Sequence, residues 1–137
     1  MSNKNYKKFT IYGEPASKAN ARQLVNIKGR IVPIKSKKTL AYLKDFAAQC
    51  PVLLAPYTDD VFVLIKIYYA SRRPDLDESL ILDCMQGSIY ANDRQVKIKL
   101  ISWALDKTSP RTDITVGVIA EGMLDDFAAS AERLMLP

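Results

Sequence analysis

The stretch around which this chain is organised reads Arg72-Arg-Pro-Asp-Leu-Asp-Glu-Ser-Leu-Ile-Leu-Asp-Cys-Met-Gln-Gly-Ser-Ile-Tyr-Ala-Asn-Asp-Arg-Gln95. Its aspartates lie inside a protein whose formal net charge is +5. Because carboxylates repel one another, they rarely crowd together unless a cation binds between them. The stretch is therefore interpreted as a metal site that faces nucleic acid. The aspartates concerned are Asp75, Asp77, Asp83 and Asp93.

A long strand is predicted on each side of this stretch. Residues 61–69 are almost continuously apolar and rich in β-branched side chains, which is typical of a central strand. Residues 96–105 predict a second strand with two alternating faces. The face that carries Lys99 continues with apolar Ile101, and Val96 is expected on the opposite face. A β-bulge or a covering partner would explain why the face of Lys99 changes character along its length.

Between the two strands the sequence predicts a short helix over residues 78–86. Asp77 can cap its first turn, and Gly87 can end it in the conformation that glycine adopts easily. The apolar side of this helix is predicted to consist of Leu80, Ile81, Cys84 and Met85.

The N-terminal part predicts a short strand over residues 9–13 and a hairpin over residues 25–34 that turns at Lys28-Gly29. Ser36 is a good N-cap for a helix that runs to about Gln49. Lysines in the first turn of that helix oppose its dipole, a cost that a docked phosphate would reverse, although two solvated lysines are the simpler alternative. The predicted apolar stripe of the helix is Leu40, Leu43, Phe46, Ala47 and Cys50.

The C-terminal part predicts a last strand over residues 113–119 and a separate amphipathic helix over residues 121–137. The resulting order of elements, β, ββ, α, β, α, β, β, α, predicts an α+β fold. We expect a single domain with a mixed β-sheet flanked by two or three helices. The apolar stripe of the last helix is Leu124, Phe127, Ala131 and Leu134.

Composition narrows the possible chemistry. The chain has 137 residues, of which 48% are hydrophobic, and this suits one compact domain with a core of its own. Histidine is absent and cysteine occurs twice, so catalytic triads, a histidine base and a cysteine-histidine zinc site are excluded. Both thiols are expected to be reduced and inert. Without an apolar run of about 20 residues or a secretory signal, the protein is expected to be cytoplasmic.

Charge is distributed unevenly along the chain. Residues 1–44 contain eleven Lys or Arg and one acid, Glu14, whereas residues 45–137 contain nine basic and fourteen acidic residues. This division suggests that one part binds a polyanion and the other a cation, although a merely solvated basic face is the alternative. Lys18 and Arg22 would point the same way if their segment is extended.

Asp75 and Asp77 are two residues apart, so in an extended segment both carboxylates face the same way and can share one divalent ion. Asp93 would join them if the helix and the loop after it fold back. Oxygen ligands without His or Cys favour Mg²⁺ or Mn²⁺ over zinc. An EF-hand is excluded, because its glycine and glutamate positions are occupied by Leu80 and Gln86. Without a metal, Asp77 would be a plain N-cap and Asp75 a turn residue.

The run Arg73-Pro-Asp-Leu-Asp77, the helix with Asp83, and then Gly87, Tyr90 and Asn92-Asp-Arg-Gln-Val96 resemble the RusA family of Holliday junction resolvases, which is common in phages and prophages. A closing Pro-Arg-x-x-Ile run at residues 110–114 fits as well. The resemblance covers roughly residues 9–118 and implies a nuclease domain over residues 1–120. Residues 121–137 would then pack on that domain or at a dimer interface.

This resemblance implies a homodimeric, Mg²⁺-dependent endonuclease, with Mn²⁺ as a possible substitute, that nicks four-way DNA junctions symmetrically in a bacterial or phage-infected cell. The chain departs from the family at Glu78, where Asn is common, and at Ile81, where a catalytic lysine is often found. Lys97, Lys99, Arg94 or Arg73 would have to supply that cation. The resemblance makes Asp75, Asp77 and Asp93 the catalytic metal ligands, Asp83 a residue that supports them or only stabilises its helix, and Lys18, Arg22, Arg72, Arg73 and Lys97 contacts to DNA.

Three other functions fit the same residues. The chain could be a non-catalytic protein that binds branched DNA, or a nuclease for flaps and other branched DNA on the same scaffold. It could also be a small regulatory protein with an acidic interaction patch, for which divalent ions would not change thermal stability.

Overall fold

A computed structural model of the chain describes residues 6–15, 22–72 and 78–135. Because every other residue lies outside these ranges, the fold is given for this part of the chain alone. Its strands are β1 (Tyr6–Tyr12), β2 (Arg22–Ile27), β3 (Arg30–Lys35), β4 (Val61–Tyr69), β5 (Val96–Leu105) and β6 (Arg111–Val118), and its helices are α1 (Lys37–Gln49), α2 (Ser79–Met85) and α3 (Met123–Met135), with a 3₁₀ turn at Asp93–Gln95 before β5.

The main sheet has four strands in the order β1-β6-β4-β5. Strand β4 runs antiparallel to β6 and parallel to β5, and β1 runs antiparallel to β6. Strands β2 and β3 form a separate two-stranded ribbon. The predicted α+β fold with a mixed sheet is confirmed, as are the bounds of both long strands and the turn of the hairpin.

One face of the sheet carries the core. Every second residue of β4, from Val61 to Tyr69, is buried, and Ile114 and Val116 of β6 extend the same apolar layer. Helices α1 and α2 contribute buried side chains to this layer. Burial of a large apolar side chain contributes about 1.5–3 kcal/mol, so this layer supplies most of the stability. The buried helical side chains are Tyr42 and Phe46 from α1 and Ile81 and Met85 from α2.

A β-bulge in β5 changes the faces predicted from the sequence, although Lys99 and Ile101 still share one face. Val96 lies opposite Val61, but the next residue of β4 lies opposite Ile98, so Lys97 is the extra residue of the bulge. A shift of one residue moves the following side chains to the other face. The prediction that Val96 and Lys99 lie on opposite faces of the strand was therefore wrong. Both residues lie on the side of the sheet that carries the core.

The predicted apolar stripe of α1 was also partly wrong. Leu40 is 53% exposed and Ala47 is exposed, whereas Thr39 and Tyr42 are buried. The helix is rotated so that Tyr42 packs edge-to-face on Phe46, with 6.0 Å between ring centroids, because two aromatic rings cover more of the sheet than leucine and alanine do. The predicted N-cap is confirmed: the Ser36 hydroxyl accepts a hydrogen bond from the Thr39 amide at 3.2 Å.

Helix α2 lies within the predicted range but begins later. Glu78, rather than Asp77, occupies its N-cap position, and the side chain of Glu78 makes no capping bond. Gly87 follows the helix with φ +91°, in the left-handed region that favours glycine, as predicted. Ile81 and Met85 are fully buried. Leu80 and Cys84 are partly buried against the core.

Helix α3 has an uncovered apolar side. None of its residues is buried, and Leu124, Phe127 and Leu134 are 63%, 42% and 88% exposed. The predicted division between this helix and the domain before it stays a prediction. Among the residues that the structure describes, no helix is long and apolar enough to cross a membrane.

Truncation of α1 tests which of its faces meets the sheet. Phe46→Ala should lower the free energy of unfolding by about 3 kcal/mol or more, because it removes a buried ring and leaves a cavity. Leu40→Ala, in the same helix, should cost less than about 1 kcal/mol, because that leucine is half exposed. Urea unfolding followed by circular dichroism measures both values, and the reverse ranking would contradict the packing of α1.

Candidate metal centre

The acidic stretch lies in the connection between β4 and β5. These strands are parallel, so a tight hairpin cannot join them and the chain must cross over from the end of one to the start of the other. Helix α2 fills part of this crossover and packs on the core. The 3₁₀ turn at Asp93–Gln95 then leads into β5. This path brings acids from the helix and from the turn to the same place.

Glu14, the one acid in residues 1–44, contacts both the end of β4 and the start of α1. Its carboxylate accepts a hydrogen bond at 2.7 Å from the amide of Ala70, the residue that follows β4. Its other oxygen is 4.0 Å from Nζ of Lys38 in the first turn of α1. The basic and acidic parts of the chain therefore meet at the end of β4, although the sequence separates them by more than fifty positions.

Asp93 is held by a reciprocal pair of hydrogen bonds on either side of it. The Asn92 side chain accepts from the amide of Arg94 at 2.9 Å, and the Gln95 side chain accepts from the amide of Asn92 at 2.8 Å. The amide of Asp93 donates to Oε1 of Gln86 at 3.1 Å. This capping box fixes the backbone of the turn that carries Asp93.

Other members of the same motif hold the turn against the protein. Nε2 of Gln95 donates to the carbonyls of Tyr57 and Asp59, both at 2.8 Å. Tyr90 is fully buried, and its hydroxyl donates to the carbonyl of Leu82 in α2. The motif therefore contains one candidate ligand, Asp93, and three residues that hold its turn in place. These three are Tyr90, Asn92 and Gln95.

The structure brings the carboxyl groups of Asp83 and Asp93 together. Partial burial raises the pKa of Asp83 above its usual value, and the charge of Asp93 and a hydrogen bond between the two groups raise it further. The ammonium of Lys35, at the end of β3, acts in the opposite direction. Two carboxylates whose charges act on one another are destabilised, and a divalent cation that shares their oxygens would relieve the repulsion.

The groups behind this pair are apolar and protonated. Burial raises the pKa of the Tyr90 hydroxyl, and the charges of Asp93 and Asp83 add to that rise. Burial also raises the pKa of Cys84 to about 12 and that of Cys50 to about 11. Both cysteines are free thiols that stay protonated at neutral pH, as the inert thiols expected from the sequence should.

An ion pair connects the edge strand to the start of α2. Nζ of Lys99 lies 2.6 Å from Oε1 of Glu78, which directly follows Asp77 in the sequence. The bulge at Lys97 makes this contact possible, because it turns Lys99 towards the side of α2. Ile81 is fully buried, so in this chain that position serves the core. Of the four cations considered for the site, Lys99 is thus the one that the structure shows in contact with the start of α2, whereas Lys97 and Arg94 are exposed and Arg73 lies outside the described residues.

The structure describes only some of the remaining predicted site residues. Asp75, Asp77 and Lys18 lie outside the described residues, as does the side chain of Arg22, whose backbone begins β2. Arg72 is exposed at the point where the acidic stretch begins. Within the described ranges, no group of three or more His, Cys, Asp or Glu could hold a metal. The complete ligand set therefore stays a prediction, to which the structure adds the contact between two of its acids.

The closing Pro-Arg-x-x-Ile run has a structural role. The Arg111 guanidinium donates to Oδ2 of Asp106 at 2.9 Å and lies 3.9 Å from the centroid of the Tyr68 ring. Asp106 also accepts bonds from Thr108 and Ser109, so it closes the turn between β5 and β6.

Sequence reasoning did not find several residues that shape the site. Lys35 carried no local signal beyond its charge, and its effect on the pKa of Asp83 acts between residues far apart in the sequence. Gln95 could have been recognised, because it lies three residues after Asn92, the spacing of a capping box. Gln86 lies too far along the chain from Asp93 for such a signal. Glu14, the single acid of the basic third, was visible in the sequence but was not connected with β4.

Magnesium should change the stability of the chain through this acid pair. In EDTA at pH 7, Asp93→Asn should unfold at a higher temperature than the wild type, because the repulsion with Asp83 is removed. The difference should vanish near pH 3, since a carboxyl whose pKa is raised by folding costs stability only as the pH rises above its unfolded value. Mg²⁺ should stabilise the wild type, by about 2.7 kcal/mol at a hundredfold excess over the dissociation constant, and should stabilise Asp93→Asn far less.

Asp126→Asn, on α3, is the matched control, because it removes an exposed carboxylate elsewhere. It should respond to Mg²⁺ as the wild type does. An equal response of Asp93→Asn to Mg²⁺ would contradict the proposed role of this pair.

Comparison with protein families gives a match that covers most of the chain. The family described as endodeoxyribonuclease RusA matches residues 13–117. This range includes β2 to β5, helices α1 and α2, and nearly all of β6. Helix α3 lies beyond the match. No curated protein matches the chain. The chain belongs to the endodeoxyribonuclease RusA family.

Proposed function

We propose that this chain is a Mg²⁺-dependent endonuclease that resolves four-way (Holliday) DNA junctions by paired symmetric nicks. Family membership supports endonuclease activity on branched DNA. The observation that carries the metal-dependent step is the hydrogen bond from the amide of Asp93 to Oε1 of Gln86, which joins the turn of Asp93 to the end of the helix of Asp83. The connection that contains both acids also contains Asp75 and Asp77. A set of carboxylate oxygens without nitrogen or sulfur fits Mg²⁺, with Mn²⁺ as a substitute.

In this proposal Asp75, Asp77 and Asp93 hold the cation. When bound, Mg²⁺ would offset charge on the scissile phosphate and lower the pKa of a bound water. Asp83 adds negative charge close to Asp93, and the capping box holds the backbone of Asp93 in place before DNA arrives. Such preorganisation favours the reaction because the ligands need not rearrange when charge develops.

Two further groups act on the backbone of the acidic stretch. Lys99 pairs with Glu78 and holds the start of α2. Glu14 holds the end of β4 through the amide of Ala70. Both ends of the segment that contains Asp75 and Asp77 are therefore attached to the sheet.

Contacts to the DNA backbone are assigned to basic residues around this segment. Arg72 is exposed beside it and Lys97 is exposed at the bulge of β5. Each phosphate neutralised in this way makes binding weaker as salt rises, with a slope of about 0.9 per contact in a plot of log affinity against log salt. The full proposed set is Lys18, Arg22, Arg72, Arg73 and Lys97.

A homodimer is part of the proposal, because two nicks on a two-fold junction need two sites related by two-fold symmetry. Helix α3 is the surface offered for this contact, since its apolar side is uncovered in the single chain.

A second candidate is a junction-binding protein without cleavage activity. It is favoured by Ile81, which is fully buried at the position where the family often has a catalytic lysine. The cleavage assay below separates the two functions, and flap and duplex substrates in the same assay test for a nuclease of broader specificity.

Removal of a proposed ligand should abolish nicking. Asp77→Asn and Asp93→Asn should each lower the single-turnover rate on a synthetic four-way junction with Mg²⁺ by more than about 100-fold. Loss of a residue that only supports a metal ligand typically costs about 10–100-fold, and loss of a ligand should cost more. Asp83→Asn should lower the rate by about 10–100-fold. Binding measured in EDTA should be retained, because these variants remove negative charge. Asp126→Asn should cleave at the wild-type rate, and full activity of Asp77→Asn would refute the ligand assignment.

Removal of α3 should change the oligomeric state. A chain that ends after Ala120 should run as a monomer in size-exclusion chromatography with light scattering, whereas the full chain should run as a dimer. The shortened chain should also release single-nicked rather than paired-nicked junctions. A shortened chain that remains a dimer would exclude α3 as the dimer contact.

A further inference from the structure

The β2–β3 ribbon stands away from the core. None of its described side chains is buried, and it shares no sheet with the four central strands. Leu24 is 73% exposed and Ile31 is 71% exposed. A two-stranded ribbon without a core of its own is marginally stable in water, so a surface of this kind is suited to a partner.

The charge of the ribbon indicates what kind of partner it fits. The sequence contains no acid between Glu14 and Asp45. Lys28 and Arg30 flank Gly29 at the tip of the ribbon, and Lys35 lies at its base. Continuing along the chain, α1 begins with two more lysines and has no acid in its first turn to compensate them. A continuous basic line of this kind favours a polyanion.

The tip is ordered by its own hydrogen bond. Lys28 and Gly29 have φ of 50° and 80°, and a two-residue hairpin loop of type I′ requires positive φ at both positions. The amide of Gly29 donates to Oδ1 of Asn26 at 3.0 Å. The two cations of the tip are therefore presented on a fixed turn, and less conformational entropy is lost when they bind.

The ribbon leads directly into α1 and is long enough to follow a short stretch of duplex. Lys35 ends β3, and Ser36, the N-cap of α1, comes next in the chain. Each strand of the ribbon has six residues, which at about 3.3 Å per residue is a length of roughly 20 Å. At about 3.4 Å per base pair this corresponds to about six base pairs of duplex.

We propose that the β2–β3 ribbon is a DNA-binding arm that lies along one duplex arm of the substrate and anchors it on the protein. The major groove of duplex DNA accepts a two-stranded β-ribbon, and exposed aliphatic side chains such as Ile31 can contact thymine methyl groups there. Lys28 and Arg30, at the tip of the ribbon, contact phosphates of that arm. This inference rests on the proposed function for the identity of the substrate, but it concerns binding rather than cleavage.

The experiment compares Lys28→Ala/Arg30→Ala with the wild type on a fluorescent four-way junction in EDTA across a range of salt concentrations. The variant should bind about tenfold more weakly or worse, and its salt slope should be less steep by about 1.8, because two phosphate contacts are lost. Its melting temperature should be unchanged, since both residues are exposed. The single-turnover rate of the saturated complex with Mg²⁺ should stay within about twofold of the wild-type rate.

Lys107→Ala/Arg133→Ala is the matched control, because it removes two exposed positive charges outside the ribbon. It should leave the salt slope unchanged. A second substrate with duplex arms shorter than six base pairs should bind the wild type and the ribbon variant equally well, because the tip then extends past the end of the DNA.

Three results would overturn the proposal: an unchanged affinity and salt slope, an equal loss in the control, or a ribbon variant that turns from dimer to monomer while it binds DNA as before. The last result would show that a second copy of the chain covers the ribbon. Failure of the proposed function gives a different pattern, in which the wild type cleaves no junction with Mg²⁺ or Mn²⁺ while the ribbon variant still weakens binding.

Discussion

The close approach of the Asp83 and Asp93 carboxyl groups is the constraint on which the rest of the site depends. In the absence of a cation this contact costs stability, and burial of part of Asp83 increases the cost. Hydrogen bonds around the turn offset this cost. They are the capping box of the 3₁₀ turn, the bond from the amide of Asp93 to Gln86, and the bonds from Gln95 to two backbone carbonyls. Hydrogen bonds of this kind contribute about 1 kcal/mol each, so together they can hold an unfavourable pair in place.

The sheet topology explains why such a site can exist here. A parallel β4–β5 pair requires a long connection, and the buried side of α2 fixes that connection to the core through Ile81 and Met85. The bulge at Lys97 then turns Lys99 towards Glu78, so that the edge strand supports the start of the helix. Core packing and the site thus share the same elements, with apolar residues of α2 facing the sheet and Asp83 facing the turn.

Much of the fold could be predicted from local signals. The strands at 61–69 and 96–105, the hairpin turn and the Ser36 cap follow from side-chain periodicity and from residues with strong conformational preferences, which act over a few positions. The face of α1 could not be predicted, because Leu40 and Tyr42 are both apolar and only the shape of the sheet decides between them. The register of β5 depends on a single inserted residue that has no signature of its own.

The candidate site shows the same limit. The acids were identifiable as a group from their types and spacing, and the resemblance to a known family assigned them roles. The hydrogen bond of Glu14 with the amide of Ala70 and the effect of the Lys35 charge on Asp83 join segments that are distant in sequence, so no local pattern could reveal them.

The central claim is that the acids of the crossover form one divalent-cation site. Crystals of the protein grown with Mn²⁺ and measured at the manganese absorption edge test it most directly. An anomalous peak within about 2.5 Å of a carboxylate oxygen of Asp93, shared with Asp75 and Asp77, is the predicted result. A Mn²⁺-saturated crystal without a peak at Asp93, or with its manganese bound elsewhere on the chain, would contradict it.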